Sequence, residues 1–249
     1  MKGQHEQWLC RCVSGSQVRA FLTMVWAING ALALGNILLV AGWRPPVNTI
    51  AAQIRLNNEA TFSAWYPSML LMLLGLATLL QFAASHQGAG AGGGKACYGW
   101  LALAFLATAL SVTEVAMLHE VLGNSYAKYV GHTVFGMRTQ WPILLSPFII
   151  ASVVLLVRFF RGELARVPGV APVAFAGLAV WVSVIALELL EWTVLLAPGL
   201  RGIRAFEPTF EEMCELAGTT LLLTAALRFG FATSKPSPEA LDTAAAPVK

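Results

Sequence analysis

Long apolar segments alternate with short polar connections along the chain. Each of six apolar runs is long enough to cross a hydrocarbon core of about 30 Å, which needs roughly 20 helical residues. The strand-like alternation of a membrane barrel is absent, and a backbone surrounded by lipid must satisfy its own hydrogen bonds. The pattern therefore predicts an all-α fold, a polytopic integral membrane bundle of about six transmembrane helices. The six apolar segments cover residues 20–42, 61–84, 98–122, 142–160, 170–194 and 210–230.

The parts outside the apolar segments divide the chain into three regions. We assign residues 1–19 to a cytoplasmic N-terminal segment, residues 20–230 to the transmembrane domain and residues 231–249 to a disordered cytoplasmic tail. Residues 47–58 carry apolar side chains at helical spacing, which predicts a short helix on the membrane interface. The glycine tract at 88–94 predicts a flexible connection between the second and third segments.

Composition and charge support the same class of protein. Hydrophobic residues make up 57% of the 249 residues and charged residues only 12%, about half of the 25% that is usual in soluble domains. A net charge of +3 is too small to indicate nucleic-acid binding. Ten of the 16 Lys and Arg residues fall on the side of the N-terminus. The positive-inside rule therefore predicts that both termini are cytoplasmic, N-in/C-in, in the inner (plasma) membrane.

The acidic residues are distributed unevenly between the two ends of the predicted helices. Nine of the 13 acidic residues are glutamates at or near the outer ends of the second, third, fifth and sixth segments. Because successive helices cross the membrane in alternating directions, these ends lie at one membrane depth whichever side is outside. The nine are Glu59, Glu114, Glu120, Glu188, Glu191, Glu207, Glu211, Glu212 and Glu215.

Several of these carboxylates need an explanation because charge inside the membrane is costly. An unpaired carboxylate near the bilayer centre costs on the order of 3 kcal/mol, and less toward the interface. The positive end of a helix dipole accounts for Glu211 and Glu212 if the last helix begins at Pro208-Thr209. It does not account for Glu114, Glu188 and Glu191, which approach the C-terminal ends of their helices. Arginine partners, protonation or bound metal ions are the available compensations.

The sequence places one histidine beside the acids, which suggests a metal. His and carboxylate are ligands of zinc and non-haem iron sites. The hypothesis is a polar pocket that binds a divalent metal ion, zinc or iron, with Glu114 or Glu188 as the general base if the protein is an enzyme acting on a lipid-like substrate. Its predicted ligands are Glu114, His119, Glu120, Glu188, Glu191, Glu211, Glu212 and Glu215.

Two other classes of function remain open at this stage. A proton- or cation-coupled transporter would use the same carboxylates, although the sequence shows no inverted repeat. A structural subunit would need only small outer loops, an apolar surface and partners in a larger membrane complex. Small-molecule and lipid substrates are not identified by the sequence.

Two motifs resemble those of a family of bacterial multipass membrane proteins of unknown function. They are Ser111-x-Thr113-Glu114-x-x-x-Leu118-His119-Glu120 in the third segment and Glu211-Glu212-x-x-Glu215 at the head of the sixth. The likeness covers the second to the sixth segments, and the resemblance implies an Asp where this chain has Thr113. It implies no activity, but it does imply that the acidic and histidine positions form one site.

Overall fold

A computed structural model describes residues 14–56, 61–88, 97–130, 133–134, 137–138, 141–193 and 206–233. The described chain is almost entirely helical. Its elements, in chain order, are α1 (Gly15–Val40), α2 (Asn48–Ile54), α3 (Phe62–Gly88), α4 (Cys97–Ala116), α5 (Leu118–Val130), a hairpin of β1 (Thr133–Val134) and β2 (Met137–Arg138), α6 (Trp141–Gly162), a 3-10 turn (Leu164–Arg166), α7 (Val170–Thr193) and α8 (Glu207–Thr233).

Among the described residues six helices are long and apolar enough to cross a membrane, namely α1, α3, α4, α6, α7 and α8. The predicted all-α multipass bundle is therefore confirmed. Its N-in/C-in orientation and the choice of membrane stay predictions. Residues 1–13 and 234–249, assigned to the two cytoplasmic segments, lie outside the described residues, as does most of the glycine tract.

The first helix begins earlier than its apolar run. The Ser14 side chain accepts a hydrogen bond from the Gln17 backbone N–H at 3.3 Å, and the Gln17 side chain accepts one from the Ser14 N–H at 2.6 Å. This reciprocal capping box fixes the start of α1 just after Ser14. The polar residues in the first turn belong to the helix because the cap, and not hydrophobicity, determines where it begins.

Helix α8 is the central helix of the bundle. In its most apolar 18-residue stretch 56% of the residues are buried, compared with 17–33% in the other five spans. It packs against α7 most extensively and also against α3 and α1. Gly177 on α7 and Gly218 on α8 permit this approach, since a Cβ on Gly177 would lie 3.0 Å from the Gly218 carbonyl oxygen.

An aromatic core lies at the end of the bundle where α4 and α7 begin and α6 and α8 end. Trp100 is fully buried there, and its ring lies 4.9 Å, centroid to centroid, from both Phe159 and Phe229. Phe160 is also fully buried and meets Phe175 edge-on at 5.6 Å. Edge-to-face and tilted pairs of this kind are favourable aromatic geometries.

The third apolar segment is not one continuous helix. α4 ends at Ala116, Met117 has a φ of 49°, and α5 begins at Leu118. A left-handed backbone at a residue other than glycine costs roughly 1–2 kcal/mol, so the surrounding structure has to stabilise it. The chain from 118 to 130, part of which was expected to form a connection, is helical. The break at Met117 separates Glu114 on α4 from His119 on α5. The regular 3.6-residue period of a helix therefore does not give the relative directions of the two side chains.

Candidate functional site: an acidic cluster

The start of α8 places its glutamates deeper in the helix than the sequence suggests. α8 begins at Glu207, so Glu207 occupies the first turn, whereas Glu211 and Glu212 lie in the second turn and Glu215 in the third. The favourable effect of the helix dipole on an anion falls off within the first turn. Helix-dipole stabilisation therefore does not account for Glu211, Glu212 and Glu215.

The first part of the cluster joins α7 to α8. The side chains of Glu188 and Glu211 approach each other within reach of a hydrogen bond, and Glu188 Oε1 accepts a hydrogen bond of 3.2 Å from Trp141 Nε1 at the start of α6. Ionised carboxylates only accept hydrogen bonds. A hydrogen bond between two carboxyl groups consequently requires at least one proton on the pair.

The second part of the cluster joins α4 to α8. Glu212 and Glu215 both lie close enough to Glu114 for direct electrostatic interaction. Glu215 also interacts with Glu188 and Glu211, and therefore connects the two parts. The result is a single group of carboxyl groups from α4, α7 and α8, all half-buried in the chain.

The structure brings together five of the eight predicted ligand positions: Glu114, Glu188, Glu211, Glu212 and Glu215. The backbone places His119 and Glu120 in the first turn of α5 and Glu191 in the last turn of α7. For these three residues the structure describes the backbone only. The roles assigned to all eight stay predictions.

Two residues of the site were not predicted from the sequence as site residues. Glu207 interacts with Glu211 one turn along α8 and is buried. Trp141 fits the pattern of an interfacial tryptophan, which gives no signal that its indole N–H reaches Glu188. The spacing of Glu207 and Glu211, four residues apart on a helix, was the available sequence signal for the first of them.

The donor set differs from that of a transition-metal centre. Over the part of the chain that the structure describes, no group of three or more His, Cys, Asp or Glu side chains is arranged to hold a metal ion. The described cluster offers carboxyl oxygens only, which suit protons and hard cations such as Mg²⁺, Ca²⁺ and Mn²⁺ better than soft ones. A zinc or iron site would need the His119 imidazole as well.

At the opposite end of the bundle, a buried acid has a basic partner. Glu163, between α6 and the 3-10 turn, is buried, and its Oε2 lies 3.0 Å from Arg166 Nη1. Between pairs of described residues this is the one salt bridge that forms. An acid with a basic partner is an ordinary structural pair, whereas the cluster on α8 combines like charges.

Fold and site together define a multipass membrane protein with an acidic cluster at one end of its helix bundle. The chain belongs to the family described as domain of unknown function DUF8692, whose model matches residues 19–229. This match extends from α1 almost to the end of α8 and includes every carboxylate of the cluster. No curated protein and no solved structure matches the chain.

Proposed function

We propose that this protein reversibly binds a cation at the acidic cluster, with Glu114, Glu188, Glu211, Glu212 and Glu215 as the binding groups. The observation that carries the proposal is the close approach of the carboxyl groups of Glu188 and Glu211, which lie within reach of a hydrogen bond. Two carboxyl groups in contact need a proton or another cation between them, because two ionised groups would repel. No three of these carboxylates are arranged to hold a metal ion in the described structure, so a metal that replaces the proton has to draw the carboxylates together around it.

The chemistry of the described donors supports a proton or a hard divalent cation as the ligand. Mn²⁺, Mg²⁺ and Ca²⁺ are bound by carboxylate oxygens and water. A metal-dependent enzyme would use the same site, with Glu114 or Glu188 as the general base. Its substrate would be a lipid-like molecule that reaches the site from the bilayer.

A second candidate function, cation-coupled transport, is favoured by the helix break at Met117. The break follows Glu114 by three residues and lies within the third apolar segment. Interrupted helices beside ion-binding side chains are a recurrent feature of secondary transporters. Flux measured in proteoliposomes would separate transport from binding alone.

The experiment compares cation binding and proton release in the purified full-length chain and in a Glu188→Gln/Glu211→Gln variant. In weakly buffered detergent solution, titration with Mn²⁺ is expected to give saturable binding with release of at least one proton per ion. The double variant keeps the side-chain volumes but has lost both carboxylates, so affinity should fall by at least about tenfold, the scale on which metal sites lose affinity when a supporting partner is removed. Glu163→Gln is the matched control, since it removes a buried carboxylate at the other end and should leave binding unchanged.

A second readout covers the case in which the proton is the only ligand. The infrared carbonyl band of protonated carboxyl groups should be present in the wild type and reduced in the double variant. Elemental analysis of the protein as purified reports any metal already bound. A wild type that binds no Mn²⁺ or other metal and has no protonated-carboxyl band would overturn the proposal.

A further inference from the structure

Helix α6 is the least enclosed of the six long helices that the structure describes. Only 17% of its most apolar stretch is buried within the protein, compared with 28–56% for the other five. It packs against α4, α5, α7 and the 3-10 turn. On that side Leu156, Phe159 and Phe160 enter the buried core. The opposite side of α6 is left exposed along the length of the helix.

This exposed face of α6 changes from apolar to basic along the helix. Residues three or four positions apart lie on one face of a helix, so Arg158 continues the row of Val154 and Leu155, and Arg161 follows one turn later. Both arginines are exposed. The apolar part is formed by four side chains that are 45–63% exposed, namely Phe148, Ile150, Val154 and Leu155.

The two arginines lie at the level of a membrane boundary. α6 begins with Trp141 at the acidic end, and at 1.5 Å per residue Arg158 and Arg161 are about 25 Å and 30 Å further along its axis. A hydrocarbon core is about 30 Å thick. With Trp141 at one boundary, both guanidinium groups therefore lie beside the lipid headgroups at the aromatic end, which their long side chains can reach.

Neither arginine has a partner within the part of the chain that the structure describes. Glu163, the one described acid at this end, pairs with Arg166 at 3.0 Å, and no described residue forms a salt bridge or hydrogen bond with Arg158 or Arg161. Charge at the edge of the hydrocarbon is costly without a counter-charge. Guanidinium groups pair with phosphate oxygens through two parallel N–H donors, so a phosphate is a fitting counter-ion for this position.

We propose that the exposed face of α6 binds an anionic phospholipid, of which phosphatidylglycerol is the representative. Its phosphate lies at Arg158 and Arg161, and an acyl chain lies along Val154 and Leu155 toward Phe148. A net negative headgroup is favoured because the face carries two positive charges and no described acid, and basic groups at this depth attract anionic lipids. The site is at the opposite end from the acidic cluster and does not depend on the proposed function.

A second copy of this chain fits the same face less well. Two copies related by a two-fold axis along the membrane normal would bring residues of equal depth together, so Arg158 and Arg161 would face the same arginines of the other copy. Helix pairs in membranes also use small residues at their contact, whereas this face presents large side chains.

The test is native mass spectrometry of the purified full-length chain, titrated in detergent micelles with phosphatidylglycerol or with phosphatidylcholine of the same acyl chains. The wild type is expected to bind one phosphatidylglycerol at least about tenfold more tightly than phosphatidylcholine, the scale expected for two arginines facing an anionic headgroup. Arg158→Gln/Arg161→Gln should bind the two lipids equally. Because both side chains are exposed, this variant should unfold at the wild-type temperature in lipid-free detergent.

Arg19→Gln/Arg228→Gln is the matched control. It removes two exposed arginines from the same end of the bundle, but from α1 and α8, neither of which packs extensively against α6. It should keep the preference for phosphatidylglycerol, as should Glu188→Gln/Glu211→Gln at the acidic cluster.

Four results would overturn the proposal. The first is equal affinity of the wild type for the two lipids, and the second is a preference that persists in Arg158→Gln/Arg161→Gln. The third is an equal loss in Arg19→Gln/Arg228→Gln, which would show a general effect of positive charge at this end. The fourth is displacement of the lipid, either by added inorganic phosphate, which would indicate a soluble anion, or by a second copy in a lipid-free dimer.

Discussion

The two ends of the helix bundle contain opposite kinds of side chains, aromatic rings at one end and carboxyl groups at the other. At one end α4, α6 and α8 contribute Trp100, Phe159 and Phe229, whose rings pack at 4.9 Å centroid distances. At the other end α4, α7 and α8 contribute Glu114, Glu188 and the glutamates of α8. Inside a bilayer, helices associate through close packing and hydrogen bonds, because lipid tails are as apolar as the side chains. The aromatic end provides that packing.

The acidic end has the reverse effect on stability. Carboxyl groups within a membrane are costly, and grouping them adds repulsion. Functional sites are where proteins keep such unfavourable arrangements. If the acidic cluster binds a cation as proposed, we expect substitutions at the aromatic end to reduce stability without changing cation affinity. Substitutions at the acidic end should weaken cation binding without reducing stability.

The largest expected effect is at the aromatic end, for Trp100→Ala. Removing this fully buried indole leaves a large cavity between Phe159 and Phe229. We expect a loss of about 3 kcal/mol in the free energy of unfolding, the lower limit for Trp→Ala in soluble cores, because in lipid the hydrophobic transfer contribution is missing. Reversible unfolding in mixed micelles measures it.

Trp100→Phe serves as the milder comparison and should lose less, since it retains an aromatic ring in contact with its neighbours. The Mn²⁺ affinity of whatever fraction stays folded should match that of the wild type. A loss under about 1 kcal/mol for Trp100→Ala would show that the aromatic end does not hold the bundle together.

At the acidic end, Glu212→Gln is expected to stabilise the protein. It replaces one carboxylate near Glu114 and Glu215 with a neutral side chain of the same shape. Relief of repulsion should raise the free energy of unfolding by about 1 kcal/mol, within the range of single stabilising substitutions, while Mn²⁺ binding weakens. The same unfolding assay, in metal-free buffer at neutral pH, measures the change. Destabilisation by a similar amount would instead mean that the Glu212 carboxylate forms necessary structural bonds.

The sequence was sufficient to predict the six apolar helices and the convergence of the acids at one end of the bundle. Runs of about 20 apolar residues have no alternative to helices in lipid, and alternating crossings bring the ends of α4, α7 and α8 to one side. Both inferences depend on local composition and on chain order, which are visible in a sequence. The proximity of Glu188 and Glu211 follows in outline from the same argument.

Other features depend on contacts that no local pattern encodes. Residues 111–120 contain neither glycine nor proline, so nothing predicts the left-handed Met117 that ends α4. Asn29 is visible as a polar residue in an apolar segment, but its partner Thr220 is 191 positions away. Tertiary packing decides whether such an amide is satisfied on both its atoms. The Oδ1 of Asn36 accepts the Leu56 backbone N–H, whereas the Oδ1 of Asn29 has no hydrogen-bond partner among the described residues.

The smallest expected effect concerns Glu163, the one acid at the aromatic end among the residues that the structure describes. Glu163 is buried, but Arg166 is 67% exposed and solvent screens the pair. Arg166→Ala should therefore cost less than about 1 kcal/mol of unfolding free energy. A double-mutant cycle with Glu163→Gln isolates the pair, and the two changes together should cost little more than either alone. Mn²⁺ binding should stay at the wild-type value throughout the cycle. A change in that affinity would contradict the separation of the ends, because it would show that a charge at the aromatic end contributes to binding at the acidic cluster.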